Sequence, residues 1–303
     1  MSTNARVPKA VDGVSAVEKS VGWRTWSAED ASIWVAAPME SDDKYSRGVL
    51  GVVTGSDLYP GAAVLGVEAA VRTGVGMVRF VGAGHPTELV LQRRPEVVTA
   101  TGRVQAWLVG SGMDASARAE DDSTRLRAAL ADGVPMVIDA GALDLIDDAT
   151  GPVVITPHFR ELASVLAVKA AAGKPTPDAP TPNAIAADPA LWAVRAAELL
   201  QVTVLLKGHT TYIADPEGTR LRVSAGPPWL ATAGSGDVLG GVLGALVATH
   251  ARAVAADRSA LAMLAATAAF VHGRAGERAS AGGPIAALDI AEALPGTVAE
   301  LLA

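Results

Sequence analysis

Asp237 combines a carboxylate with a glycine-rich turn at the start of a helix, a pairing that could carry acid–base chemistry. It lies in residues 231–241, ATAGSGDVLGG, between a proline-containing loop and an apolar helical stretch. Gly234 and Gly236 let the backbone approach a ligand closely. The free N–H groups of Gly234, Ser235 and Gly236 at a helix start form an anion hole for phosphate or a developing anion. A carboxylate there would repel a passively held pyrophosphate. A general base that takes a proton from a hydroxyl, while neighbouring amides stabilise a transferring phosphoryl group, would use both features. The same residues also make an ordinary helix N-terminus with an acid favouring the dipole, and spacing alone leaves both readings open. The dinucleotide fingerprint fails because Leu239 stands where its third glycine belongs, and no GxxxxGK[ST] occurs.

Two further segments end apolar runs. Residues 155–161, ITPHFRE, put Thr156, His158 and Glu161 at the carboxyl edge of a strand, where open α/β sheets collect ligands. A strand-to-helix turn capped by Thr156 or His158 and completed by Glu161 is the plainer reading and the one the pattern favours. Residues 205–211, LLKGHTT, offer Lys207 to neutralise phosphate and Gly208 to admit a nucleotide, against the plainer alternative of a solvent-exposed strand end. Gly55-Ser56-Asp57 with Gly61-Ala62-Ala63, and Gly110-Ser111-Gly112, each follow a strand and could cradle part of a ligand. Singly these are turns; at the edges of successive parallel strands they line one cleft. Asp139 is another member of that edge or a cap. Glu120-Asp121-Asp122 reads as a solvated helix start.

The elements that must hold these residues alternate in type. Residues 48–54, 77–81, 106–109, 135–139, 153–156 and 203–206 read as buried strands, with helical stretches such as 61–72 between most of them. Repeated βα units predict an α/β fold: a doubly wound, mostly parallel sheet flanked by helices, in a single domain. Residues 211–214 and 220–223 read as a hairpin around Pro216-Glu217-Gly218. After it come two Ala-rich helices, from Gly234 onward and over residues 254–279, and a short C-terminal helical pair. Residues 169–182, with four prolines from residue 173 onward, read as a surface loop. Residues 1–43 read as an N-terminal arm with a short helix, and residues 44–303 as the catalytic domain.

Composition removes several classes of function. The 303 residues include no cysteine, which excludes disulfides and thiolate catalysis. The five histidines form no zinc-spaced pair, and the net charge of -7 with scattered basic residues offers nothing to a nucleic acid. The longest apolar runs, residues 238–248 and 261–271, fall short of the roughly 20 residues a membrane helix needs. The polar N-terminal segment lacks a signal-peptide core, so the expected location is cytoplasmic.

Taken in order, TGSDLYPGAA at 54–63, RPEVV at 94–98, GSG at 110–112, DAGAL at 139–143, TPHFRE at 156–161, LKGHTT at 206–211, TAGSGDVLGG at 232–241 and VHGRAGE at 271–277 resemble the ADP-dependent (S)-NAD(P)H-hydrate dehydratases of the ribokinase-like superfamily. The resemblance covers about residues 40–300, and its strength lies in the order and number of the motifs. It implies a ribokinase-like fold and a metabolite-repair reaction. The C6 hydroxyl of the S hydrate is phosphorylated, with ADP (or ATP) as donor, and phosphate then leaves to regenerate NAD(P)H with AMP.

The resemblance further implies Mg2+ beside the phosphates, with Glu161 organising it indirectly through water. Asp237 would be the base in contact with the hydrated ring. Ala63, Gly112 and His158 would bind the hydrate, and Lys207, Gly208, His209, Thr210, Thr211 and Gly236 the nucleotide. It implies a homotetramer and, with about 47 residues ahead of the core, a hydrate epimerase on a separate protein. The chain departs from the family at Gly110-Ser111-Gly112-Met113-Asp114, where GPGLG is usual. The runner-up function is a small-molecule kinase of the same superfamily acting on hydroxyethylthiazole or a pyrimidine alcohol.

Overall fold

The computed structural model describes residues 22–171 and 179–303. Nine strands form one sheet: β1 (Arg24–Thr25), β2 (Val49–Val53), β3 (Met77–Phe80), β4 (Ala106–Val109), β5 (Met136–Ile138), β6 (Val153–Ile155), β7 (Thr203–Leu206), β8 (Thr211–Ala214) and β9 (Arg220–Val223). Their spatial order is β1-β9-β8-β7-β6-β5-β4-β2-β3, and only β8 runs antiparallel to its neighbours. The chain steps outward from β2 to β3 and then returns to the other side of β2 to form β4. This reversal opens a crevice beyond the carboxyl ends of β2 and β4.

Eleven α-helices surround the sheet among the described residues: α1 (Ala28–Ile33), α2 (Pro60–Thr73), α3 (Gly84–Arg93), α4 (Glu120–Leu130), α5 (Phe159–Ala171), α6 (Pro182–Ala187), α7 (Pro189–Leu200), α8 (Ser235–Thr249), α9 (Ala251–Ala256), α10 (Ala260–Ser280) and α11 (Ala287–Leu302). Alternate strand residues feed two cores. Leu50, Val52, Leu108, Val137, Val154 and Leu205 join α2, α8, α10 and α11 on one face, while Val53, Val109, Ile138, Ile155 and Leu206 meet α4, α5 and α7 on the other. Burial on both faces explains why these strands are continuous apolar runs. Helix α8 is buried for most of its length between α2 and α10, which holds its N-terminal turn rigidly at the sheet edge.

The structure corrects several expectations about elements. The described residues 22–43 hold the short helix α1 and pack onto the sheet: β1 pairs with β9, and buried Trp26 donates through Nε1 to Thr267 Oγ1 at 3.2 Å. The earlier residues lie outside those described. Lys169 to Ala171 belong to α5 and Pro182 begins α6, where proline at the first helical position loses no hydrogen bond. Residues 172–178 of the expected loop lie outside those described. Residues 254–279 are divided by a turn at Asp257–Ser259 between α9 and α10. The expected C-terminal pair is the single helix α11, which continues through Pro295 because Ile290, Ala291, Leu294 and Thr297 are buried along one stripe.

Candidate active site

The start of α8 divides the carboxyl edge of the sheet into two chambers. Gly234 caps the helix with φ at +84°, a left-handed conformation that a side chain would strain, and a β-carbon there would also strike Leu65. The next turn presents Ser235, Gly236 and Asp237. On one side lies a cavity of about 720 Å3, lined by Lys207, Gly208, His209, Thr211, Ser235 and Gly236, with an apolar wall of Val223, Pro228, Leu230 and Leu239. On the other lies a cavity of about 790 Å3, lined by Tyr59, Gly112, Met113, Asp114, Glu161, Gly234 and Asp237. A base reaching one chamber from a helix start that also faces the other is suited to moving a group between two ligands.

Charge is concentrated at the junction. Asp139, at the end of β5, is buried and accepts from Ser111 Oγ at 3.0 Å, Thr156 Oγ1 at 2.7 Å and Lys207 Nζ at 3.0 Å. Lys207 Nζ also lies 3.7 Å from Glu161 Oε2, and a β-carbon on Gly236 would sit 3.6 Å from it. Burial works against the Lys207 ammonium, but the carboxylates of Asp139, Glu161 and Asp237 outweigh it and raise its pKa. Burial pushes the Asp237 carboxyl up to about 6, Asp139 adds to the shift, and Lys207 opposes it. A carboxylate with that pKa is well matched to accepting a proton near neutral pH.

His158 and Glu161 form the cap that the sequence allowed as the plainer alternative. Glu161 Oε2 accepts from the His158 N–H at 2.8 Å, and His158 Nδ1 accepts from the N–H groups of Arg160 and Glu161, each at 3.2 Å. The cap does not remove them from the cleft. Glu161 faces the Asp237 chamber, whereas His158 lines the chamber with Lys207, across the start of α8 from Gly112, with which it was expected to bind the hydrate.

Two other expected site residues line neither chamber. Ala63 is fully buried beneath Gly55 and lines neither chamber. Thr210 is paired with Ser224 through their hydroxyls at 2.9 Å and likewise lines neither.

Two residues at the junction were not given these roles by the sequence. Asp139 was one of several edge residues, and only the convergence of β4, β6 and β7 shows it as the acceptor that holds Lys207. His272 lay within VHGRAGE without a role. It is buried on α10 and pairs through Nε2 with Ser235 Oγ at 3.1 Å, and burial, with the Lys207 charge adding to it, holds its pKa down at about 4. It is therefore neutral near pH 7 and holds the Ser235 side chain at the start of α8.

The sequence model described as NAD(P)H-hydrate dehydratase matches residues 50–295. The chain belongs to the NAD(P)H-hydrate dehydratase family. It is 41% identical over 283 residues to a bifunctional NAD(P)H-hydrate repair enzyme of Mycobacterium leprae, a match covering 89% of this chain and 52% of the relative. It is 30% identical over 264 residues to an ADP-dependent (S)-NAD(P)H-hydrate dehydratase of Xanthomonas campestris, covering 80% of this chain and 83% of the relative. The chain thus spans about half the length of the bifunctional family member.

Among solved structures, the Bacillus subtilis ADP/ATP-dependent NAD(P)H-hydrate dehydratase co-crystallized with ATP/Mg2+ aligns with a TM-score of 0.76 at 22% identity. The alignment covers 93% of this chain and 99% of that one. Such likeness establishes the ribokinase-like fold. No described helix of this family member is long and apolar enough to cross a membrane.

Proposed function

We propose that the protein dehydrates the S epimer of NAD(P)H hydrate at the expense of ADP, returning NAD(P)H, AMP and phosphate. The observation that carries this reading is Asp237 at the boundary of two chambers, one walled by Lys207, Gly208, His209, Thr211 and Gly236, the other by Gly112. The nucleotide occupies the first, with its base against the apolar wall and its phosphates toward Lys207. The hydrated ring occupies the second. Asp237 removes the proton of the C6 hydroxyl, whose oxygen takes the terminal phosphoryl group as AMP departs. The N–H groups of Gly234, Ser235 and Gly236 stabilise the charge on the transferring group. The C6–O bond then breaks with phosphate leaving, the ring nitrogen supplies the electron pair, and loss of the C5 proton restores the reduced ring.

The residues also fit Mg2+. Asp139, Glu161 and Asp237 surround a single ammonium, an excess of negative charge that an incoming nucleotide would increase. Among the described residues no three metal-ligating side chains converge on one point, so most of the ion's ligands would come from the phosphates and water. Glu161 is the carboxylate that would hold it, and the ion would supply charge neutralisation at the phosphates.

The test is absorbance at 340 nm after mixing the protein with Mg2+, S-epimer NADH hydrate and either ADP or ATP. A nucleotide-dependent rise, absent in Asp237→Ala, is the expected result. No rise, with nucleotide instead consumed on thiazole or pyrimidine alcohols to give a stable phosphoester, would replace the repair function with a kinase.

A further inference from the structure

Beyond the Asp237 chamber lies a third cavity of about 550 Å3, and Leu58, Met113 and Asp114 line both. A dinucleotide hydrate whose reacting ring lies at Asp237 carries its adenosine half well away from that ring. The phosphate donor takes the direction toward Lys207, so the way past Leu58 and Met113 is left for the substrate's far end.

The third cavity contains donors that a ligand oxygen could meet. Ala83, Gly84 and His85 line it at the N-terminus of α3, which has no side-chain cap. Arg118 also lines it, with a side chain only 7% exposed.

The charges in this wall are unevenly matched. Asp57, Asp114, Asp121 and Asp122 line it against Arg118 and Arg125. Arg125 is engaged by Asp122 at 2.8 Å, and Arg118 by Asp144 at 2.6 Å and by the Gly141 carbonyl. Among the described residues, Asp57, Asp114 and Asp121 form no ion pair. Asp114 is held in place by the N–H of Ser116 at 2.8 Å and its hydroxyl at 2.7 Å.

We infer that this chamber receives the adenosine half of the hydrated dinucleotide and selects the form without a 2′-phosphate. A ribose diol can donate to Asp57 or Asp114, whereas a 2′-phosphate would be set against three uncompensated carboxylates. The inference rests on the proposed dehydratase function. The carboxylates are solvent-exposed, so water and salt moderate the discrimination without abolishing it.

The experiment compares kcat/KM for S-NADH hydrate and S-NADPH hydrate in the wild type, in Asp114→Asn and in the Asp57→Asn/Asp114→Asn double variant. The wild type is expected to favour the NADH form by about tenfold, corresponding to about 1.4 kcal/mol. The double variant should raise kcat/KM for the NADPH form severalfold and lower that for the NADH form, and added salt should narrow the wild-type ratio. A wild-type ratio near one, or variants that move both substrates equally, would overturn the selection while leaving the dehydratase function standing. Turnover of neither hydrate would overturn both, and is a distinct result.

Discussion

Two buried charge clusters in this molecule are built with opposite stoichiometry. On α2, the fully buried Glu68 meets Arg72 at 2.5 Å, Arg93 at 3.2 Å and Arg94 at 2.5 Å. Burial pushes its carboxyl up, but the three guanidiniums overcome this and hold it at about 2. At the sheet edge, one ammonium, Lys207, serves Asp139, Glu161 and Asp237, and the Asp237 carboxyl rises to about 6. In the first cluster every neighbour stabilises the charge and the whole ties α2 to α3 and, through Arg93 and Glu292, to α11. In the second, negative charge is left over and one carboxylate stays poised to take up a proton. The first arrangement ties helices together, and the second leaves a group able to exchange a proton near neutral pH.

If that division holds, neutralising each cluster should damage different properties. Asp237→Asn should lower kcat by about 10²–10⁴, the usual contribution of a general base, with no loss of thermal stability. Turnover at 340 nm and a melting curve on the same preparation check both halves. A comparable loss of stability would erase the distinction.

Glu68→Gln should do the reverse. It leaves three guanidiniums around a neutral amide and should cost about 3–5 kcal/mol, read from denaturant unfolding, while turnover per folded molecule below the transition is kept. The pH dependence has a definite sign. Because the folded pKa of Glu68 is depressed, its stabilisation is present above the ordinary carboxyl value of 4.5 and is lost as pH falls toward about 2. The variant should therefore lose the part of the wild type's acid sensitivity that falls in that window.

The unequal legibility of the two clusters in the sequence has a physical cause. The strand ends were readable because buried parallel strands are unbroken apolar runs and the polar residues just beyond them must face one cleft. Lys207, Glu161 and Asp237 were visible as separate motifs for that reason. Their mutual arrangement around Asp139 was not, since it depends on β5, β6 and β7 being neighbours in register. Glu68 had no signal at all: Arg93 and Arg94 reach it from about one βα unit away, and an acid inside an Ala-rich helix looks like any exposed one. The C-terminal stretch that reads as a helical pair is one helix, because tertiary packing along α11 carries it through Pro295.

A smaller effect should appear in the pH profile. With Asp237 needed as the carboxylate, kcat/KM should fall about tenfold per unit below a limb near 6. The surroundings set that limb with opposite signs. Asp139→Asn removes a repelling carboxylate and should move it down, while Lys207→Met removes the ammonium and should move it up. These shifts are expected alongside lower absolute rates, so the position of the limb, not its height, is the readout. A limb that ignores both substitutions would assign the titration to another group.

The smallest expected effect concerns the stability of the Asp237 site itself. Its pKa in the folded protein, about 6, exceeds the ordinary 3.8, so the native state binds this proton more tightly than the unfolded chain does. The resulting stabilisation is present below about pH 4 and is lost as pH rises through 6, leaving the ionised carboxylate a liability at neutral pH. A shift of about two units corresponds to at most about 3 kcal/mol, and partial solvent access reduces this to ~1–2 kcal/mol. Asp237→Asn should then melt a few degrees above the wild type at pH 8 and level with it at pH 4, although Lys207 loses one of its carboxylates. A variant less stable than the wild type at pH 8 would mean that Asp237 matters to the fold mainly as a partner of Lys207. The second cluster would then be a structural one like the first.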